Sequence, residues 1–171
     1  MIVYIFLQIS YYKVVVFSQT AEYALRAIVA LAEDAEIPPD IQTRELYSRE
    51  LVVVAARQHP LARQARITLD DIAGERLILT SPEEAPRTVV NRTFAAHGFE
   101  PTVSFEADDP ATLIGLAAEG IGIGITGQSL ARRNSDRVVE LKVDGVQMRY
   151  SMALAWSDRG PHTRAKTSFL D

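Results

Sequence analysis

Beyond the adjacent prolines Pro38 and Pro39, short apolar runs alternate with capped helical segments, and this alternation constrains the fold more than any other feature. LVVVA at residues 51–55 is a continuous run rich in β-branched side chains, the pattern of a strand buried on both faces. A turn follows at His59-Pro60-Leu61-Ala62. Thr68 then caps a short helical stretch, LDDIA, that stops at Gly74. Residues 77–80 predict a second buried strand, leading through the polar loop SPEEAP to a helix over 87–96, with Gly98 as its stop.

The unit repeats. The pattern predicts a strand over 102–106, a helix over 111–119 capped by Gly120, a strand over 121–125 and a short helix over 128–133. Strands over 138–142 and 149–156 and a final helix from His162 complete the series. Strands alternating with helices predict an α/β domain with mostly parallel pairing. Ligands in such sheets bind beyond the carboxyl ends of the strands. That rule selects the loops 80–86, 107–112 and 126–129.

The region ahead of Pro38 reads differently. Tyrosine, valine and isoleucine dominate residues 1–17 and predict two short strands, 2–8 and 12–17. Lys13, Gln8 and Ser10 interrupt the run, no positive charge precedes it, and no small-residue cleavage site follows closely, which argues against a signal peptide or membrane anchor. Residues 20–33 predict a helix, with Ala21, Leu25, Ile28, Val29 and Ala32 on one face.

Composition narrows the function classes. A formal net charge of -4 speaks against a free-standing nucleic-acid binder. With no cysteine there can be no disulfide, thiolate zinc site or cysteine nucleophile, which suits a reducing, cytoplasmic setting. Gly120, Gly122 and Gly124 do not form a dinucleotide fingerprint, because a helix precedes them and a strand follows, the reverse of the required order. They suit a helix stop and a strand packed close to its neighbour. The pairs Asp70-Asp71 and Asp108-Asp109 have no histidine nearby in sequence, so no metal is expected, and no cofactor. His59, His97 and His162 fall in turns or at helix ends and read as structural, as do Arg132 and Arg133 at the end of their helix.

Several pieces, taken in order, resemble the effector-binding domain of LysR-type transcriptional regulators. They are LVVVAARQHPLA, ITLDDIAGERLILT, the long stretch RTVVNRTFAAHGFEPTVSFEADDPATLIGLAAEGIGIGITGQSLA, and SMALAWSDRGPHTRAKTSFLD. The resemblance runs from Pro38 to the last residue. It implies a type 2 periplasmic-binding-protein-like α/β fold of two lobes, with an effector held between them. Residues 56–145 would form the second lobe, complete. Residues 37–55 and 146–171 would form a partial first lobe with the crossing strands, and 1–36 an atypical N-terminal segment.

The resemblance also implies a small-molecule effector, a DNA contact made only through a winged-helix domain missing from this chain, and homodimerisation. It implies no enzyme activity and no membrane partner. Its site residues map to Thr80, Ser81, Glu84, Asp109, Thr112, Thr126 and Gly127. Asp108 or Asp109 would cap the helix over 111–119, leaving Thr112 as the better ligand candidate. Glu83 and Glu84 would oppose an anionic ligand by like charge. Separately, FSQTAEYALRAIVALAED at 17–34 resembles the opening helix of the IscR-like winged-helix repressors. A solute-binding protein of the same fold, an enzyme built on it, and a nonfunctional fragment of a regulator are the other readings of the chain.

Overall fold

The computed structural model describes residues 14–16, 26–32, 39 and 41–157. They divide into two compact units, Arg49–Tyr150 and a second made of Met1–Ser48 with Ser151–Asp171.

In the Arg49–Tyr150 unit the first strand is β3 (Ile41–Ala56), whose last part is buried throughout. A 3-10 turn (Pro60–Arg63) and α1 (Leu69–Ala73) lead into β4 (Leu77–Thr80), α2 (Ala85–Ala96), β5 (Val103–Ala107) and α3 (Pro110–Ala118). After these come β6 (Ile123–Gly127), α4 (Gln128–Arg133), β7 (Val138–Leu141) and the start of β8 (Met148–Ser157). The sheet order is β3-β6-β4-β5, with β7 also on β3. β4 pairs in parallel with β5 and β6, and β3 pairs antiparallel with β6 and β7. The pairing is therefore mixed, and the expectation of mostly parallel strands holds only for β4, β5 and β6. The reason is β3: it runs against β6 while the β4–β6 repeat keeps one direction.

Burial explains the order. All four residues of β4 are buried, as an inner strand covered on both faces requires. Val52, Val54 and Ile78 form one apolar cluster with Leu113, Ile114 and Ala117 of α3, Ala131 of α4 and Val138 of β7. Leu77 and Leu79 point the opposite way by strand alternation and are equally buried, and α2 packs on β4. Phe94, fully buried, is the largest side chain α2 contributes.

Local chemistry sets the element ends. Thr68 and Asp71 close a reciprocal capping box at α1. α3 ends at Gly120, whose φ of 73° lies where an L side chain is strained, and Ile121 N–H donates back to Leu116 O at 3.2 Å.

The other unit contains β1 (Val14–Val16), β2 (Arg26–Ala32), the first part of β3 and the last part of β8. β1 and β2 are antiparallel, Val14 opposite Val29 and Val16 opposite Ala27. The expectation of a helix over 20–33 fails here: Arg26–Ala32 is a strand. RAIVALA is a short apolar run with β-branched Ile28 and Val29, which strand and helix patterns both accept. The Val14–Val16 ladder decides for the strand by pairing its backbone. The resemblance to the opening helix of the IscR-like repressors loses its helix with it. β3 also starts well ahead of residue 51: the polar stretch before Leu51 is strand too, with Leu46 and Tyr47 exposed. The expected strand 2–8 and the final helix from His162 lie outside the described residues. No helix among the described residues is long and apolar enough to cross a membrane.

Candidate functional site

The carboxyl ends of β4 and β6, with the α3 start that follows β5, open into one cavity within the Arg49–Tyr150 unit, with a volume of about 340 Å³. That lies at the small end of the range of roughly 300–1,000 Å³ usual for metabolite pockets. Thr80, the last residue of β4, forms one side with Pro86 of α2. Asp109, Pro110 and Ala111 at the start of α3 form the next. Ile125, Thr126 and Gly127 end β6, and Ser129, Leu130 and Arg133 come from α4. Arg49 of β3 and Tyr150 of β8 complete the lining.

Four of the seven residues picked from the sequence meet here: Thr80, Asp109, Thr126 and Gly127. Ser81, Glu84 and Thr112 do not line the cavity. Glu84 is the N-cap position of α2, without a side-chain cap bond. Thr112 is committed to a cap: its hydroxyl donates to Asp109 Oδ2 at 2.6 Å. Asp109 Oδ1 accepts from the N–H groups of Ala111 and Thr112 at 2.8 and 3.0 Å. The Thr112 hydroxyl and then its N–H hold the Asp109 carboxyl below its ordinary value against a weaker opposing effect of burial, and the Ala111 N–H adds least. Asp109 is thus ionised, and its oxygens already serve the helix start.

Thr80 and Thr126 are buried hydroxyl residues at strand ends. Thr80 is fixed from behind. Arg87 of α2, itself buried, donates Nη1 to Thr80 O at 2.9 Å and to Glu106 Oε1 at 3.0 Å, while its Nε donates to Asn91 Oδ1 at 3.2 Å. One guanidinium therefore joins the tips of β4 and β5 to the first turns of α2. α4 is braced by Gln128, which donates to Glu140 of β7 at 3.3 Å, and by Asn134, whose amide donates to Leu130 O at 2.9 Å.

Sequence reasoning missed Arg49 and Tyr150 as lining residues, and it read Arg133 only as a helix-end cation. They lie far apart in the chain, and no local motif links them. The one legible signal was that a helix starting right after a strand tip carries its last turn past the mouth of the same cavity, which puts Arg133 in range. His59 and His97 are structural: His59 Nδ1 accepts from Leu61 N–H at 3.3 Å, and His97 Nδ1 donates to Thr93 O at 2.8 Å. His162 lies outside the described residues. Among the described residues, no three histidine, aspartate or glutamate side chains come together as a metal site.

A cavity of mixed polarity at the ends of parallel strands is the architecture of α/β domains that bind small molecules. The chain belongs to the LysR substrate binding domain family, whose sequence model matches residues 26–171. The match starts ahead of Pro38 and takes in β2, which the sequence alone had joined to a different helix.

The chain is 34% identical over 124 residues to the HTH-type transcriptional regulator YybE of Bacillus subtilis (strain 168), covering 71% of this chain and 42% of that protein. It is 32% identical over 138 residues to ShiR, an HTH-type transcriptional regulator of Corynebacterium glutamicum (strain R), covering 78% and 45%. The chain therefore spans under half the length of these relatives. Among solved structures it resembles the effector binding domain of QuiR in complex with shikimate, with a TM-score of 0.66 and 29% identity, over 80% of this chain and 65% of that one. The regulatory domain of Synechocystis PCC6803 CcmR in complex with 2-PG shares the fold, with a TM-score of 0.68 at 22% identity, over 83% and 69%. The fold is the periplasmic-binding-protein-like α/β fold expected from the sequence.

Proposed function

We propose that this chain is the effector-sensing part of a LysR-type transcriptional regulator, with the Arg49–Tyr150 unit as its second lobe and the other unit as part of the first. The observation that carries this reading is that the ends of β4 and β6 and the start of α3 meet at one cavity lined by Thr80, Asp109, Thr126 and Gly127. The QuiR domain, seen with shikimate, supports a small metabolite as the occupant. Thr80 and Thr126 offer hydroxyls to it, and the open backbone at Gly127 admits it closely. Ser81 and Glu84 precede α2 and Thr112 lies in the first turn of α3, beside the cavity rather than in its lining.

A bound effector regulates by favouring one of two arrangements of the protein, which requires different affinities for the two. DNA contact belongs to a winged-helix segment outside this chain, and the working protein is a cytoplasmic homodimer. The function is sensing, not catalysis. The cavity's one carboxylate, Asp109, is tied up in a helix cap and so is poorly placed to act as a general base.

Thermal-shift measurement with shikimate and with 2-PG tests this reading. A saturable rise in melting temperature with either supports it. A flat response to both, from protein that melts cooperatively, contradicts it.

A further inference from the structure

The charge of the ligand follows from which side chains reach the cavity. Glu83 and Glu84, next to Thr80 in sequence, would argue against an anion, yet neither lines the cavity. Its charged lining is Arg49, Arg133 and Asp109. Asp109 is ionised and opposes an anion by like charge, but its oxygens are taken by three donors of its own helix start, and two arginines against one aspartate leave the lining net positive. Arg49 is engaged in interactions of its own and adds a second positive charge to the lining. Arg133, in the last turn of α4, is exposed and has no partner among the described residues. The hydroxyls of Thr126 and Ser129 come from the same β6–α4 junction.

We propose that this cavity takes a small hydroxylated oxyanion, a carboxylate or a phosphate monoester, with its charged oxygens on the Arg133 guanidinium and its hydroxyls toward Thr126 and Ser129. The proposal rests on reading the cavity as the effector site and adds the chemical class of the effector. Guanidinium presents paired N–H groups that match two oxygens of a carboxylate or phosphate, a geometry a neutral ligand cannot reward. The volume of about 340 Å³ lies at the small end for metabolite pockets, roughly 300–1,000 Å³, and so suits a small ligand.

The test uses matched pairs on the intact chain: shikimate against its neutral methyl ester, and glycerol 3-phosphate against glycerol. The expected result is that at least one anion binds and its neutral counterpart binds at least tenfold more weakly. Arg133→Gln should lose that preference, while Arg132→Gln, one residue away and outside the cavity, should keep it. A preference for the carboxylate identifies one source of the oxyanion, and a preference for the phosphate the other. A neutral compound binding as well as its anion, or an unchanged preference in Arg133→Gln, overturns the assignment and leaves the effector reading standing. Silence from all four compounds counts against both.

Discussion

Arg87 donates to the carbonyl oxygen of Thr80 at 2.9 Å, a buried bond between the first turn of α2 and the end of β4. Thr80 is where the sheet stops and the cavity begins, so this bond fixes the cavity wall from outside it. The second arm, to Glu106 at 3.0 Å, ties in the neighbouring strand, whose carboxylate is half exposed.

Arg87→Ala removes both arms and leaves a buried carbonyl without its charged donor. A hydrogen bond to a charged group contributes about 1.5–3 kcal/mol, and the loss of stability should fall in that range. Urea unfolding followed by circular dichroism measures it. Glu106→Gln keeps an acceptor at the exposed end and should cost under about 1 kcal/mol, as partly exposed ion pairs do.

Gly124 tests the packing of β6. A methyl group there would lie 2.5 Å from Leu113 Cδ2 and 3.1 Å from Val54 Cγ2, both from fully buried residues. Gly124→Ala should destabilise the chain by about 1–3 kcal/mol through overpacking. A companion Leu113→Ala change in the same chain should recover part of the clash while opening space elsewhere. Melting curves of the single and double variants separate the two effects.

The two helix-capping carboxylates give a pH dependence of definite sign. Asp71 is held below the ordinary carboxylate value by the backbone N–H of Thr68, then by its hydroxyl, and Asp109 by the hydroxyl of Thr112 and then the N–H groups at the start of α3. Both values are lower in the folded state. Their contribution to stability is therefore present above the unfolded value near 3.8 and is lost as the pH falls through the folded values. A chain carrying Asp71→Asn and Asp109→Asn should show a shallower fall in melting temperature between pH 5 and pH 3 than the parent. Equal slopes would mean the caps do not titrate with folding.

Thr126→Val replaces a buried hydroxyl by a methyl of similar shape. Effector affinity should fall about tenfold, equivalent to ~1.4 kcal/mol, with the melting temperature of the free chain little changed. Isothermal titration of both proteins with the anion that binds checks it.

Much of this was readable from local chemistry. The Thr68 cap, the buried strand over residues 77–80, the short helix over 128–133 and the stop at Gly120 each depend on side chains a few positions apart, and the structure has them where the pattern put them. Half the cavity was legible for the same reason, because the strand ends at Thr80 and Thr126 follow from the strand and helix boundaries. What failed depended on distant partners. Arg26–Ala32 is a strand because of its pairing with Val14–Val16, which an apolar run cannot announce. Thr112 looked free because its bond to Asp109 competes with ligand binding only once the cap geometry is known. Arg49, Arg133 and Tyr150 reach the cavity from three separate elements, and Arg87 fixes Thr80 through a guanidinium whose burial no local pattern declares.

The most direct measurement is amide chemical-shift mapping of the isotope-labelled chain titrated with shikimate, glycerol 3-phosphate and 2-PG. A bound compound should move the amides of Thr80, Ala111, Thr126, Gly127 and Ser129 together and saturably, while those of α1 stay in place. Saturable shifts centred on α1, or on any surface away from the ends of β4, β5 and β6, would contradict it.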